Sequence, residues 1–141
     1  MYSFPNGSGG PNASGPGAGL ISDAQGNLYG TTQLGGAKGE GAAFELSPAV
    51  GGGWTEKLLY SFGQCPTEPC SGLSEPEGSL IFDGQGNLYG TTESGGPGGE
   101  FEGRGGVFEL SPGAGGVWTE TTLYEFGTNS PDCLLYTSRC V

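Results

Sequence analysis

The sequence predicts an all-β, β-propeller-like chain: two four-stranded antiparallel blades, with one additional strand at the N-terminus. Three observations predict this. First, Gly26-Asn27-Leu28-Tyr29-Gly30-Thr31-Thr32 returns unchanged as Gly86-Asn87-Leu88-Tyr89-Gly90-Thr91-Thr92, so the chain is a tandem repeat. Second, its 32 glycines and 10 prolines fall between short runs rich in Leu, Ile, Phe, Tyr, Trp and Thr, as turns fall between strands. Third, each unit carries four such runs and no stretch of helical period. Four short strands in a unit of about sixty residues suit a propeller blade better than half a sandwich. An open array of stacked sheets or a β-solenoid is the alternative fold.

The elements follow in order. Met1-Tyr2-Ser3-Phe4 matches Leu59-Tyr60-Ser61-Phe62 and Leu123-Tyr124-Glu125-Phe126, so residues 1–15 read as the end of a preceding unit followed by an aperiodic loop. The first unit spans 16–63. In it Leu20-Ile21-Ser22-Asp23, a turn at Ala24-Gln25-Gly26, and Asn27 to Thr32 make a hairpin. A Gly-rich loop from Gln33 to Ala42 leads to a third strand, Ala43 to Pro48, whose proline cannot donate to a central ladder. After Gly51-Gly52-Gly53 comes a fourth strand, Trp54 to Phe62, with Trp, Tyr and Phe evenly spaced as if on one face.

Residues 64–75 read as an inter-unit loop, and 76–127 as the second unit. Its strands are expected at Leu80 to Asp83, Asn87 to Thr92, Val107 to Pro112 and Trp118 to Phe126. The loop from Glu93 to Gly106 carries Phe101-Glu102-Gly103-Arg104 as an insertion. Residues 128–141 read as a loop and a tail foreign to the repeat.

Charge excludes some partners. Fifteen acids against four bases give a net charge of −11, which repels phosphate backbones and anionic headgroups, so nucleic acid is not expected as a partner. No run approaches the roughly 18 apolar residues of a membrane span, so this segment is not expected to insert. The N-terminus has no secretory signal pattern, but both ends read as cut.

Aligned, the units share Leu-Ile-x-Asp-x-Gln-Gly-Asn-Leu-Tyr-Gly-Thr-Thr, then Phe-Glu-Leu-Ser-Pro, then Trp-Thr-Glu and Leu-Tyr-x-Phe-Gly. Over roughly residues 16–127 this resembles the GloVer-type tandem repeat of large bacterial proteins that carry a choice of C-terminal anchors. The resemblance implies an extracellular or surface-attached array and supplies no catalytic residues. Cys133-Leu134-Leu135-Tyr136-Thr137-Ser138-Arg139-Cys140-Val141 departs from the pattern and looks like translated adapter sequence from DNA library preparation. On that reading the chain is a fragment, and its function belongs to a longer parent.

Candidate chemistry is sparse. The chain has no histidine, which removes the usual base for a nucleophilic serine and the commonest zinc nitrogen. Eight of the fifteen acids recur as repeat partners: Asp23 with Asp83, Glu40 with Glu100, Glu45 with Glu109, Glu56 with Glu120. An active site is normally built once, so these acids read as structural. The Asp23 to Asn27 and Asp83 to Asn87 turns offer oxygens for calcium, but Asp, Gly and Asn are ordinary turn residues. No other cofactor is expected.

Cys65 and Cys70 are spaced for a small disulfide-closed loop, which an extracellular address would permit. Trp54 and Trp118 invite stacking on a carbohydrate, though repeated aromatics more often pack one unit on the next. Unrepeated features, the Phe101 to Arg104 insertion and the Cys65 to Cys70 loop, are better placed for recognition of carbohydrate or protein. The expected function is a structural or binding repeat module without catalysis. The alternative is the partial scaffold of an extracellular propeller enzyme, a lyase or hydrolase acting on polysaccharide.

Overall fold

A computed structural model describes residues 13–64, 72–96 and 104–127. These residues form two antiparallel sheets and one 3-10 turn at Ala114–Gly116, so the chain is all-β. The first sheet contains β1 (Ala13–Pro16), β2 (Ile21–Ser22), β3 (Leu28–Gly35), β4 (Ala42–Pro48) and β5 (Trp54–Ser61). The second contains β6 (Leu73–Pro76), β7 (Ile81–Phe82), β8 (Leu88–Gly95), β9 (Gly106–Pro112) and β10 (Trp118–Glu125).

Each sheet has four lanes rather than five. β1 pairs with the far half of β3 (Ala13↔Gly35, Pro16↔Thr32) and β2 with its near half (Ile21↔Tyr29, Ser22↔Leu28), so the two lie end to end as one interrupted edge strand. β6 and β7 repeat this along β8. Beyond it the lanes run β3-β4-β5 and β8-β9-β10 as simple meanders.

Two stretches expected as loop are therefore strand. Ala13–Pro16, at the end of the 1–15 loop, and Leu73–Pro76, at the edge of the 64–75 loop, each pair with a neighbour. Their partners also lengthen, with β3 and β8 running on through residues 33–35 and 93–95, which the sequence suggested were Gly-rich loop. Neither Ala-Ser-Gly-Pro nor Leu-Ser-Glu-Pro alternates in polarity, although the structure pairs both along a sheet edge and buries Ala13, Leu73 and Pro76.

The repeated Leu-Tyr-Gly-Thr-Thr has a packing cause. A Cβ on Gly30 would stand 2.8 Å from Cζ of Phe44 and 2.7 Å from Cδ2 of Leu20. On Gly90 it would stand 2.5 Å from Cζ of Phe108. The missing side chain is the space into which the neighbouring phenylalanine lays its ring.

The fourth strand does not keep its aromatics on one face. A bulge at Leu59 leaves Phe44 opposite Leu58 and Ala43 opposite Tyr60, and an extra residue reverses the sidedness of everything beyond it. Trp54 and Leu58 pack with Ala13, Ala42, Phe44 and Leu46 on one side of the first sheet, whereas Leu59, Tyr60 and Phe62 join the core on the other. Leu123 bulges identically in β10.

That second core joins the sheets. Tyr29, Ala43, Leu59 and Phe62 of the first unit pack against Leu73, Leu80, Leu88, Phe108 and Leu110 of the second. Sealing one such side chain contributes about 1.5–3 kcal/mol before entropy is counted. Thr31 Oγ1 donates to the carbonyl of Gly78 at 3.3 Å, Gln33 Nε2 donates to Glu77 Oε1 at 2.8 Å, and Glu75 N donates to the Glu40 carbonyl at 2.8 Å. The two sheets stack in the same sense: one unit's Tyr-Ala-Leu-Phe side receives the other's Leu-Leu-Phe-Leu side.

Candidate functional site

The hairpin turn that opens each unit is built around one aspartate. Oδ1 of Asp23 accepts from the backbone N–H of Gln25 and Asn27, both at 2.9 Å, while Oδ2 accepts from Asn27 Nδ2 at 2.8 Å and the Tyr29 hydroxyl at 3.0 Å. Asp83 repeats the set with Gln85, Asn87 and Tyr89 at 2.8–3.1 Å. Gly26 and Gly86 close the turns at φ +84° and +89°, where a side chain would be strained. Asp, Gly, Asn and Tyr of the motif Asp-x-Gln-Gly-Asn-Leu-Tyr thus form one turn, tied by hydrogen bonds to the aspartate and closed by the glycine.

This network decides the chemistry open to it. Partial desolvation pushes the Asp23 carboxyl up, but the bonds from Asn27, Tyr29 and Gln25 outweigh it and hold the pKa below the usual carboxylate value; Asp83 behaves alike. Such a carboxylate stays ionised and is a poor proton donor near neutrality. Burial, followed by the bond to Asp23 and the charges of Glu45 and Asp23, pushes the Tyr29 hydroxyl up to about 12, so it keeps its proton. Both carboxylate oxygens already accept two donors each, which leaves calcium to displace bonds rather than fill a vacancy. Among the described residues no three His, Cys, Asp or Glu side chains cluster as a metal site would require.

Four of the other described repeat acids are also engaged in hydrogen bonds. Glu45 and Glu109 accept from the hydroxyls of Ser47 and Ser111 at 2.9 and 2.8 Å, two residues along. Glu56 accepts from Ala13 N at 3.2 Å across the sheet, and Glu120 from the Thr122 hydroxyl at 2.9 Å. Burial raises the Glu120 pKa, the nearby Glu125 charge adds to it, and the Thr122 bond opposes both.

One cavity does bring the units together. Its volume is about 390 Å³, and it opens beside the joint between Asp23, Gln25 and Tyr29 of the first unit and Phe82, Gly86, Pro112 and Trp118 of the second. Phe82 meets Tyr29 edge-on, with centroids 5.0 Å apart at 85°. The walls are mostly apolar, with the exposed Gln25 at the rim. Of the two tryptophans only Trp118 lines this cavity; Trp54 packs beside Phe44 on the opposite side of the first sheet. Phe82 and Gln25 were missed as joint residues, although Phe82 replaces the Ser22 of the first copy, the kind of unrepeated apolar residue that marks a contact between units.

Cys65, Cys70 and most of the Phe101 to Arg104 insertion lie outside the described residues, as does the tail from 128. Arg104 is described and lies beside Gly127. No helix among the described residues is long and apolar enough to cross a membrane. Compared with known proteins, the chain matches no family model, no curated protein and no solved structure.

Proposed function

We propose that the chain is a structural or binding repeat segment of a secreted or surface-attached bacterial array, propeller-like in its stacking and without catalysis of its own. One observation carries this reading: the residues the two copies share are consumed in making the hairpin, the sheet and the joint. Asp23, Asn27 and Tyr29 bond to one another, Gly30 makes room for Phe44, and Phe62 packs on the second unit. The repeated motif therefore supports assembly, and recognition falls to positions where the copies differ.

The extracellular address rests on the resemblance of the repeat. Two experiments test the reading. DNA read across both ends of the frame should reveal further Leu-Tyr-Gly-Thr-Thr units of uniform type; a cluster of unrepeated His, Arg, Tyr and acidic residues in the loops at one end of the sheets would favour the enzyme scaffold instead. The purified chain should release no reducing or unsaturated ends from neutral or acidic polysaccharides, and turnover proportional to protein concentration would overturn it.

A further inference from the structure

The molecule contains its own control for what covers an open sheet. Leu59 is 7% exposed and Phe62 1%, while their counterparts Leu123 and Phe126 are 49% and 38% exposed. Thr31 is buried and Thr91 exposed, and Tyr29 is buried and Tyr89 only half-buried. The residue types are the same in each pair. The difference is that the first set lies under the second sheet.

From this we infer that Tyr89, Thr91, Val107, Leu123 and Phe126 form a docking surface for one further unit of the same repeat. That unit seats its Leu-Leu-Phe-Leu side there, as Leu80, Leu88, Phe108 and Leu110 seat on the first sheet. The inference rests on the reading of the chain as a repeat array and specifies its joint. The joint is heterologous, one side type receiving the other, so it propagates in one direction and ends only by ring closure or by a cap.

One position specifies which version of the unit fits. At the internal joint Gln33 donates to Glu77; the counterpart of Gln33 on the open surface is Glu93, which would repel another Glu at the Glu77 position. The first unit has Gly17 there. At the same joint Gly19 N donates to Ser79 Oγ at 3.1 Å, so the Ser79 side chain is turned toward the first unit. The surface accepts a unit patterned like the first copy at the Glu77 position, with no acid there.

The test inserts a third unit after Gly127 in two versions that differ at one place, one carrying glycine as at Gly17 and the other glutamate as at Glu77. NMR of the Leu123 and Thr91 methyl groups with a soluble paramagnetic agent reads their exposure. The glycine version should protect both methyls to the level of Leu59 and Thr31, and the glutamate version should protect them less. Phe126→Ala should then lower the urea midpoint of the three-unit chain about as much as Phe62→Ala lowers that of the native chain, while hardly moving the native midpoint. Methyls as exposed as in the native chain, whether because the third unit fails to fold or docks elsewhere, overturn the inference. So does equal protection by both versions. Flanking DNA without further units would instead sink the array reading and leave this docking result standing.

Discussion

The ring of Phe62 meets that of Phe108 with centroids 4.9 Å apart and planes at 62°, and through this contact the last lane of the first sheet is fastened to the third lane of the second. Both rings are sealed from solvent. Aromatic pairs in this edge-on arrangement add roughly 0.5–1.5 kcal/mol to what burial alone supplies.

Phe62→Ala should accordingly cost about 3–5 kcal/mol, the range for truncating a buried phenylalanine. Phe126→Ala, made at the same place in the second unit, should cost about 1 kcal/mol or less. Urea unfolding of the two variants beside the parent checks the contrast. Equal losses would mean that the joint contributes little.

Acid should unfasten the hairpins. Asp23 and Asp83 have folded pKa values held below the usual 3.8, so their contribution is fully present above that value and is lost as pH falls through the folded pKa. Glu120 has the opposite sign: its raised pKa means that protonation on the way down relieves a buried charge. Stability measured from pH 6 to pH 2 should fall below about pH 4, and Asp23→Asn with Asp83→Asn should flatten that arm. An unchanged acid arm in the double variant would refute the assignment.

At the alkaline end Tyr29 is the sensitive group. Its pKa rises from 10.0 to about 12 on folding, so its contribution is intact below pH 10 and is lost as pH rises through the folded value. Tyr29→Phe should start from lower stability, having lost the bond to Asp23, and should decline less steeply above pH 10. Unfolding midpoints from pH 8 to pH 12 read both effects.

How much of this was legible depended on where each interaction closes. The hairpins were, because Asp23, Gly26 and Asn27 form their bonds within five residues and leave a local signature. The four-lane meander was legible from its turns. Pairing of Ala13–Pro16 with β3 was not, since Ala-Ser-Gly-Pro has neither alternation nor β-branched residues and finds its partners far along the chain, Ala13 at Gly35 and Pro16 at Thr32. The bulge at Leu59 was also silent: a run with aromatics at even spacing reads as one face until an extra residue reverses it. The cavity beside Trp118 arises only when two copies meet, and an alignment of copies shows what they share rather than how they touch.

Ser74 is a buried hydroxyl with no hydrogen-bond partner among the described residues. Removing an unsatisfied polar group costs nothing and relieves its desolvation, so Ser74→Ala should be neutral or stabilising by up to about 1 kcal/mol. Thermal or urea unfolding decides it. A clear loss of stability would show that the hydroxyl has a partner.

Glu75 holds a positive φ of 56°, at the place where the first unit has Gly15 at 68°. Its backbone N–H reaches Glu40, and its carboxylate accepts from the Ser94 hydroxyl at 2.9 Å. Glu75→Gly and Glu75→Ala both lose the Ser94 bond, but only glycine is unstrained there. The glycine variant should be the more stable of the two by about 1 kcal/mol. Equal stabilities would place the strain elsewhere.

The bulge at Leu59 also has a mechanical meaning. Because β5 changes sides along its length, its Trp54 end is gripped by packing on one side of the sheet and its Phe62 end by packing on the other. The strand works as a rivet driven through the sheet rather than a tile laid on it. A pulling force or a protease that peels β5 away would loosen both sides of its sheet together. A chain of such sheets would resist tension up to a threshold and then yield by whole units, not strand by strand.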